Sequence, residues 1–160
     1  MANMTASISR RYKGDTQPLR YGCVGYTDYQ SGSTEYTIYK GAIVMMDVSD
    51  VDGYAQPRLS AITAASGDVF LGVALEEVDI TSLDTAQGDK DILVARGGVW
   101  AFAVGSLAVT DIGAPAYCSD DQTITTTSTN NLWVGTIVAV DSTYVWVDIG
   151  HASGRTNTAT

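Results

Sequence analysis

Gly41-Ala42-Ile43-Val44-Met45-Met46-Asp47 is followed, after a polar stretch, by Gly67-Asp68-Val69-Phe70-Leu71-Gly72-Val73-Ala74-Leu75. The phrase returns as Gly113-Ala114-Pro115-Ala116-Tyr117-Cys118-Ser119-Asp120, then Leu132-Trp133-Val134-Gly135-Thr136-Ile137-Val138-Ala139-Val140. Each half reads as a glycine-opened apolar strand, a polar interval, and an apolar strand broken once by glycine. Short apolar runs bounded by turn residues are strand signals, and a glycine inside one marks a bulge or a close crossing of backbones. The phrase describes a β-scaffold and holds almost nothing reactive.

Outward from it, residues 37–39, 42–47 and 58–63 read as short strands, divided by Ser49-Asp50-Val51-Asp52-Gly53 and Ser66-Gly67-Asp68. Residues 69–78 form a strand with Gly72 within it, and 79–91 a polar connection with one helical turn. The runs 92–95 and 99–104 flank Arg96-Gly97-Gly98, a hairpin signal. Tyr144-Val145-Trp146-Val147-Asp148-Ile149 alternates most clearly and closes the sheet. No stretch repeats at helical spacing with caps. The expectation is an all-β fold, a small β-barrel or sandwich of short antiparallel strands over residues 37–150. An extended N-terminal arm (1–36) precedes it and a flexible tail (151–160) follows.

The arm is polar and glycine-bearing, and tyrosines 12, 21, 26, 29, 36 and 39 lie in it or just after it. Net charge is −9, divided unevenly. Residues 1–20 carry Arg10, Arg11, Lys13 and Arg20 against Asp15 alone, whereas the rest of the chain is strongly acidic. An acidic body does not suit a polyanion, because binding one requires cations that neutralise phosphates. The arm's cations and tyrosines fit a carboxylate-rich protein surface, with Arg forming bidentate pairs. Stacking on nucleic acid bases and plain disorder are the other two readings. At 160 residues the chain suits one domain that needs no metal or disulfide. No run of 18 apolar residues suggests a membrane helix, and Met1-Ala2-Asn3-Met4-Thr5 opens no secretory signal, so synthesis in a cytoplasm is expected. Cys23 and Cys118 read as ordinary strand residues rather than a disulfide framework.

Reactive constellations are scarce. His151 is the single histidine and lies at the edge of the tail, where it cannot serve a triad. Phosphate-binding glycine motifs and Cys-x-x-Cys are missing from the sequence, and no cofactor or metal is expected. Asp47, Asp50 and Asp52 before Gly53 faintly suggest a calcium loop, but Val48 and Leu59 stand where oxygen ligands are needed. Glu76, Glu77 and Asp79 could pair as carboxylates for glycoside hydrolysis, although a strand end facing solvent accounts for them as well.

Gly41-Ala-Ile-Val-Met-Met-Asp, Phe70-Leu-Gly-Val-Ala-Leu, Ala95-Arg-Gly-Gly-Val-Trp, Asp111-Ile-Gly-Ala-Pro-Ala-Tyr-Cys-Ser-Asp, Trp133-Val-Gly-Thr-Ile-Val-Ala-Val and Val145-Trp-Val-Asp-Ile occur in this order. The ordered set, over residues 38–150, resembles the capsid cement, or head decoration, proteins of tailed bacteriophages. The long tyrosine-rich leader and the insertion at 48–66 depart from that family. The resemblance implies a non-enzymatic β-barrel-like subunit that trimerises on the outer surface of the capsid near three-fold positions, with the major capsid protein and its own copies as partners. It implies neither nucleic acid nor membrane as partner. In this reading Arg10, Arg11, Tyr12, Lys13, Arg20 and Tyr21 of the arm contact the capsid, while Trp100, Phe102, Trp133 and Trp146 serve the core or the trimer contact. The alternative class is a carbohydrate- or receptor-binding β-module of a phage tail or fibre, in which exposed aromatics stack on sugars.

Overall fold

The structure, a computed structural model, describes residues 2–48 and 53–157. The turn at 49–52, with Asp50 and Asp52 of the calcium-like stretch, and positions 158–160 of the tail lie outside the described residues. The strands, in chain order, are β1 (Tyr12–Lys13), β2 (Pro18–Gly22), β3 (Tyr36–Ile38), β4 (Ile43–Met46), β5 (Gln56–Pro57), β6 (Val69–Ala74), β7 (Val78–Ile80), β8 (Asp91–Ala95), β9 (Val99–Ala103), β10 (Pro115–Cys118), β11 (Ile124–Thr125), β12 (Leu132–Val140), β13 (Tyr144–Asp148) and β14 (Arg155–Thr156). The fold is all-β and sandwich-like rather than a closed barrel. One sheet runs β1-β9-β13-β12-β10-β11; the other runs β2-β8-β6-β4-β5, with β14 also on β6; β3 and β7 form a short third pair.

Burial explains why the strands read differently. Between the two large sheets lie Ile43, Met45, Phe70 and Val73 from one side and Trp100, Phe102, Ile137, Val145 and Val147 from the other. The far face of the second sheet is buried too, with Val44, Leu71, Ile92 and Val94 packed under Val24, Tyr29, Tyr36, Ile38 and Ile80. A sheet covered on both faces needs apolar residues at every position, hence Ile-Val-Met-Met and Val-Phe-Leu-Gly-Val-Ala. The first sheet has one face in solvent, hence the alternation of Tyr144-Val-Trp-Val-Asp.

The repeated phrase is a structural duplication. In chain order β2, β4, β5, β6 and β8 build the second sheet in the same spatial arrangement as β9, β10, β11, β12 and β13 build the first. The hydrogen bonds match. The Gly41 amide donates to the Ala74 carbonyl and the Ala74 amide to the Ala42 carbonyl, as Gly113 does to Ile137 and Ile137 to Ala114. Register shifts fall between Val44 and Met45 in one half and between Ala116 and Tyr117 in the other, opposite Gly72 and Gly135 respectively.

Three expectations are corrected. The leader is not an extended arm: β2 is the first strand of the first repeat, and Met4, Cys23, Val24 and Tyr29 are buried. The apolar far face of the second sheet requires a cover, and residues 23–38 supply it. The tail is not loose over 151–157, since β8 meets β6 only at Val73 and Ala74, and β14 pairs with the remaining Val69 and Phe70. The Asn157 side chain then holds the carbonyls of Ala65 and Asn131. Residues 58–63 are not a strand. Arg58 is buried and donates to the carbonyls of Leu59, Ile62 and Asn130, so the chain coils around its guanidinium.

Candidate interaction surface

The leader meets the body along the edge of the first sheet. Tyr12 lies opposite Trp100 and Lys13 opposite Val99, and the Ala101 amide donates to the Arg11 carbonyl. Side chains of a strand alternate between faces, so the leader's residues part into two sets. Arg10 and Tyr12 turn toward the rim of the core. The Tyr12 ring stacks on Trp100 with centroids 4.8 Å apart, and the Arg10 guanidinium carbon lies 4.3 Å from the Phe102 ring centre. Arg11 and Lys13 turn to the solvent face, where Arg11 lies 5.3 Å from the Tyr144 ring and Lys13 Nζ 5.3 Å from that of Trp146.

Arg10 is a structural cation. Its Nε donates to the Gly41 carbonyl at 2.5 Å and its Nη1 to that of Ala101 at 3.3 Å. Burial lowers its pKa to about 10, against the opposing pull of Asp121 and Asp120, so it stays charged at neutral pH. Asp121, itself buried, accepts the Met4 amide at 2.7 Å. Desolvation pushes Asp121 up to about 6, with Asp120 adding to the rise while the Met4 amide and Arg10 oppose it.

Of the other residues expected to bind a capsid, Arg20 donates to Glu76 at 2.8 Å and Asp91 at 2.7 Å. The hydrogen bond to Glu76, then that to Asp91, raises its pKa. These pairs are solvent-exposed and contribute little to stability. Tyr21 packs half-buried against the second core cluster. Among the four aromatic candidates, Trp100 and Phe102 are core, and Trp133 packs against it with Nε1 donating to the Gly135 carbonyl. Trp146 alone lies on the solvent face, its Nε1 3.3 Å from Asp141 Oδ2. Tyr144 completes that face, its ring 6.1 Å from Trp146. It escaped the sequence reading, although the two-residue period of β13 already places it on the side of Trp146.

The carboxylates considered for hydrolysis are held in local bonds. Glu76 accepts from Arg20 and from the Leu93 amide, Glu77 from Ser7, and Asp79 from Thr37 at 2.6 Å. An open groove of about 450 Å³ runs beside them, lined by Glu77, Val78, Asp79, Asp89, Lys90 and Asp91. Among the described residues no group of three or more His, Cys, Asp or Glu side chains has a geometry that could hold a metal. Cys23 and Cys118 are both free and buried, and desolvation raises each thiol to about 12. His151 is exposed. No helix among the described residues is long and apolar enough to cross a membrane. No family model, curated protein or solved structure matches the chain.

Proposed function

We propose that this protein is a structural virion protein of a tailed phage. It binds the outer surface of the capsid and stabilises the shell by cementing neighbouring major capsid subunits, as a homotrimer near three-fold positions. It is made in the host cytoplasm and uses neither nucleic acid nor membrane as partner. One observation carries the reading. Arg11 and Lys13 are laid over Tyr144 and Trp146 on the solvent face of a rigid sheet, an ordered cationic and aromatic surface on an otherwise acidic body. Such a surface suits a carboxylate-bearing protein, because cations held over rings keep their direction and their donors stay available. The ordered glycine-punctuated motifs over 38–150 support the same class, and in this fold they are the bulges and turns of a duplicated scaffold.

The carbohydrate-binding alternative draws on Tyr144 and Trp146. Stacking on a sugar needs a bare ring face, and here both rings are overlaid by cations. Cosedimentation with empty expanded heads tests the proposal: retention on the heads supports it, and a protein that stays in the supernatant at micromolar concentration removes it. Retention on host glycans in place of heads would favour the alternative.

A further inference from the structure

Among the described residues the duplication leaves one position filled in the first sheet and bare in the second. On the first sheet β1 pairs along the outer edge of β9. By the matched registers, β2 is the counterpart of β9, with Arg20 equivalent to Ala101. The Cys23 amide bonds the Lys90 carbonyl, so alternation along the β2–β8 ladder turns the backbone N–H and C=O of Arg20 away from β8, toward the open edge. Ala101 uses its equivalent amide to hold the Arg11 carbonyl. The same alternation turns the N–H and C=O of Tyr12 away from β9, toward the outer side of β1. Among the described residues this leaves a short open edge centred on Tyr12 and another centred on Arg20.

We infer that these edges join copies of this chain head to tail, with β1 of one copy pairing antiparallel with β2 of a second copy and Tyr12 opposite Arg20. Three features select this pairing. Two β2 edges brought together would set Arg20 against Arg20, and two β1 edges would crowd Arg11 and Lys13 against their equivalents; like charges directly opposite destabilise a ladder. The mixed pairing instead brings the basic leader to an edge where Glu76, Glu77, Asp79, Asp89 and Asp91 outnumber Arg20 and Lys90. Each edge also exposes one large apolar side chain, Tyr12 at 53 % and Leu19 at 43 %, which the contact covers. Pro18 heads β2 and limits the ladder to a few bonds, matching the two-residue length of β1. Residues 14–17 alone join β1 to β2 and keep both edges on one flank, so the contact closes a two-fold pair when both edges of each copy are used, and otherwise closes a ring or continues as a filament. The inference is independent of what the assembly coats.

The test uses full-length protein. Tyr12→Pro and Arg20→Pro each remove one outward N–H, and Arg20→Ala removes the side chain but keeps the backbone. By light scattering coupled to size exclusion, wild type and Arg20→Ala should be oligomeric and each proline variant monomeric. An equimolar mixture of the two proline variants retains one good edge of each kind and should give dimers of twice the 16.9 kDa chain mass. Amide exchange on the wild type covers the case in which a proline variant fails to fold. The Tyr12 and Arg20 amides should be at least tenfold slower to exchange in the oligomer than in the dilute monomer. A monomeric wild type at millimolar concentration, proline variants that assemble like wild type, a mixture that stays monomeric, or unchanged exchange at both amides would each overturn the inference.

Discussion

Gly72 and Gly135 occupy one and the same position in the two halves of the molecule. Each lies in the central strand of its sheet with φ near 150°. A Cβ on Gly72 would lie 2.1 Å from the Ala95 carbonyl oxygen, and one on Gly135 2.1 Å from that of Asp148. In both halves the neighbouring strand slips register at this point. The glycine thus lets two backbones approach more closely than any side chain would permit, and the sandwich uses the device once per sheet.

Alanine at either glycine should therefore be costly by the same mechanism. Gly72→Ala and Gly135→Ala each force a non-glycine φ and a backbone clash, so each should destabilise by about 3 kcal/mol or more. Gly105→Ala, at a positive φ with open space around it, should cost only about 1 kcal/mol. Urea denaturation of the three variants checks the order. A Gly72 or Gly135 variant no worse than Gly105→Ala would remove the close-approach account.

The duplicated scaffold was legible because its signals are local: glycines, short apolar runs and the alternation of 144–149 can be read one segment at a time. What escaped depends on pairing between distant segments. Pro18-Leu19-Arg20-Tyr21-Gly22 has no alternation because β2 is an edge strand with little burial, and only its ladder with β8 makes it a strand. The short β14 is defined by the part of β6 that β8 leaves unpaired. Arg58 reads as the start of a strand and Arg10 as a capsid contact, yet the carbonyls of Leu59, Ile62 and the remote Asn130 enclose the first, and those of Gly41 and Ala101, both distant in sequence, hold the second. The surface was half legible, since the leader's cations and Trp146 were singled out separately, but nothing local shows that β1 lays Lys13 on Trp146.

Arg10 ties the leader to the body through two carbonyls and the charges of Asp120 and Asp121. Arg10→Met keeps the apolar stem and removes the donors, leaving the Gly41 carbonyl and two carboxylates without their cation. A loss of about 3 kcal/mol is expected, with the Met4 amide losing its protection before the rest of the sheet does. Hydrogen exchange reads both effects. Unchanged protection at Met4 would mean that Arg10 does not hold the leader.

Asp121 should give stability a pH dependence of definite sign. Its pKa is about 6 in the folded protein against 3.8 for the unfolded chain, so the folded state binds the proton more tightly. The contribution is fully present below about pH 4, is lost as pH rises through about 6, and amounts to about 3 kcal/mol at most. Asp121→Asn should remove that dependence. Comparing denaturation at pH 4 and pH 7, the variant should gain relative to wild type at the higher pH. A difference between the two proteins that is the same at both values would show that Asp121 does not titrate in this window.

The proposed attachment surface makes the last and most direct prediction. Arg11 and Lys13 are exposed, and each cation over its ring is worth roughly 0.5–1 kcal/mol, so Arg11→Glu/Lys13→Glu should remain folded with a small loss of stability. If these cations meet carboxylates on the shell, the double reversal should reduce retention on expanded heads at least tenfold, about 1.4 kcal/mol. Wild-type retention should also weaken as salt rises from 0.05 to 0.5 M, because exposed charge pairs are screened over that range. The two readouts separate alternatives. Salt-insensitive binding that also tolerates the reversal would place attachment on apolar or backbone contacts elsewhere. Binding that falls with salt but ignores the reversal would move it to other charges. Only loss in both fits a shell held by the face on which Lys13 lies over Trp146.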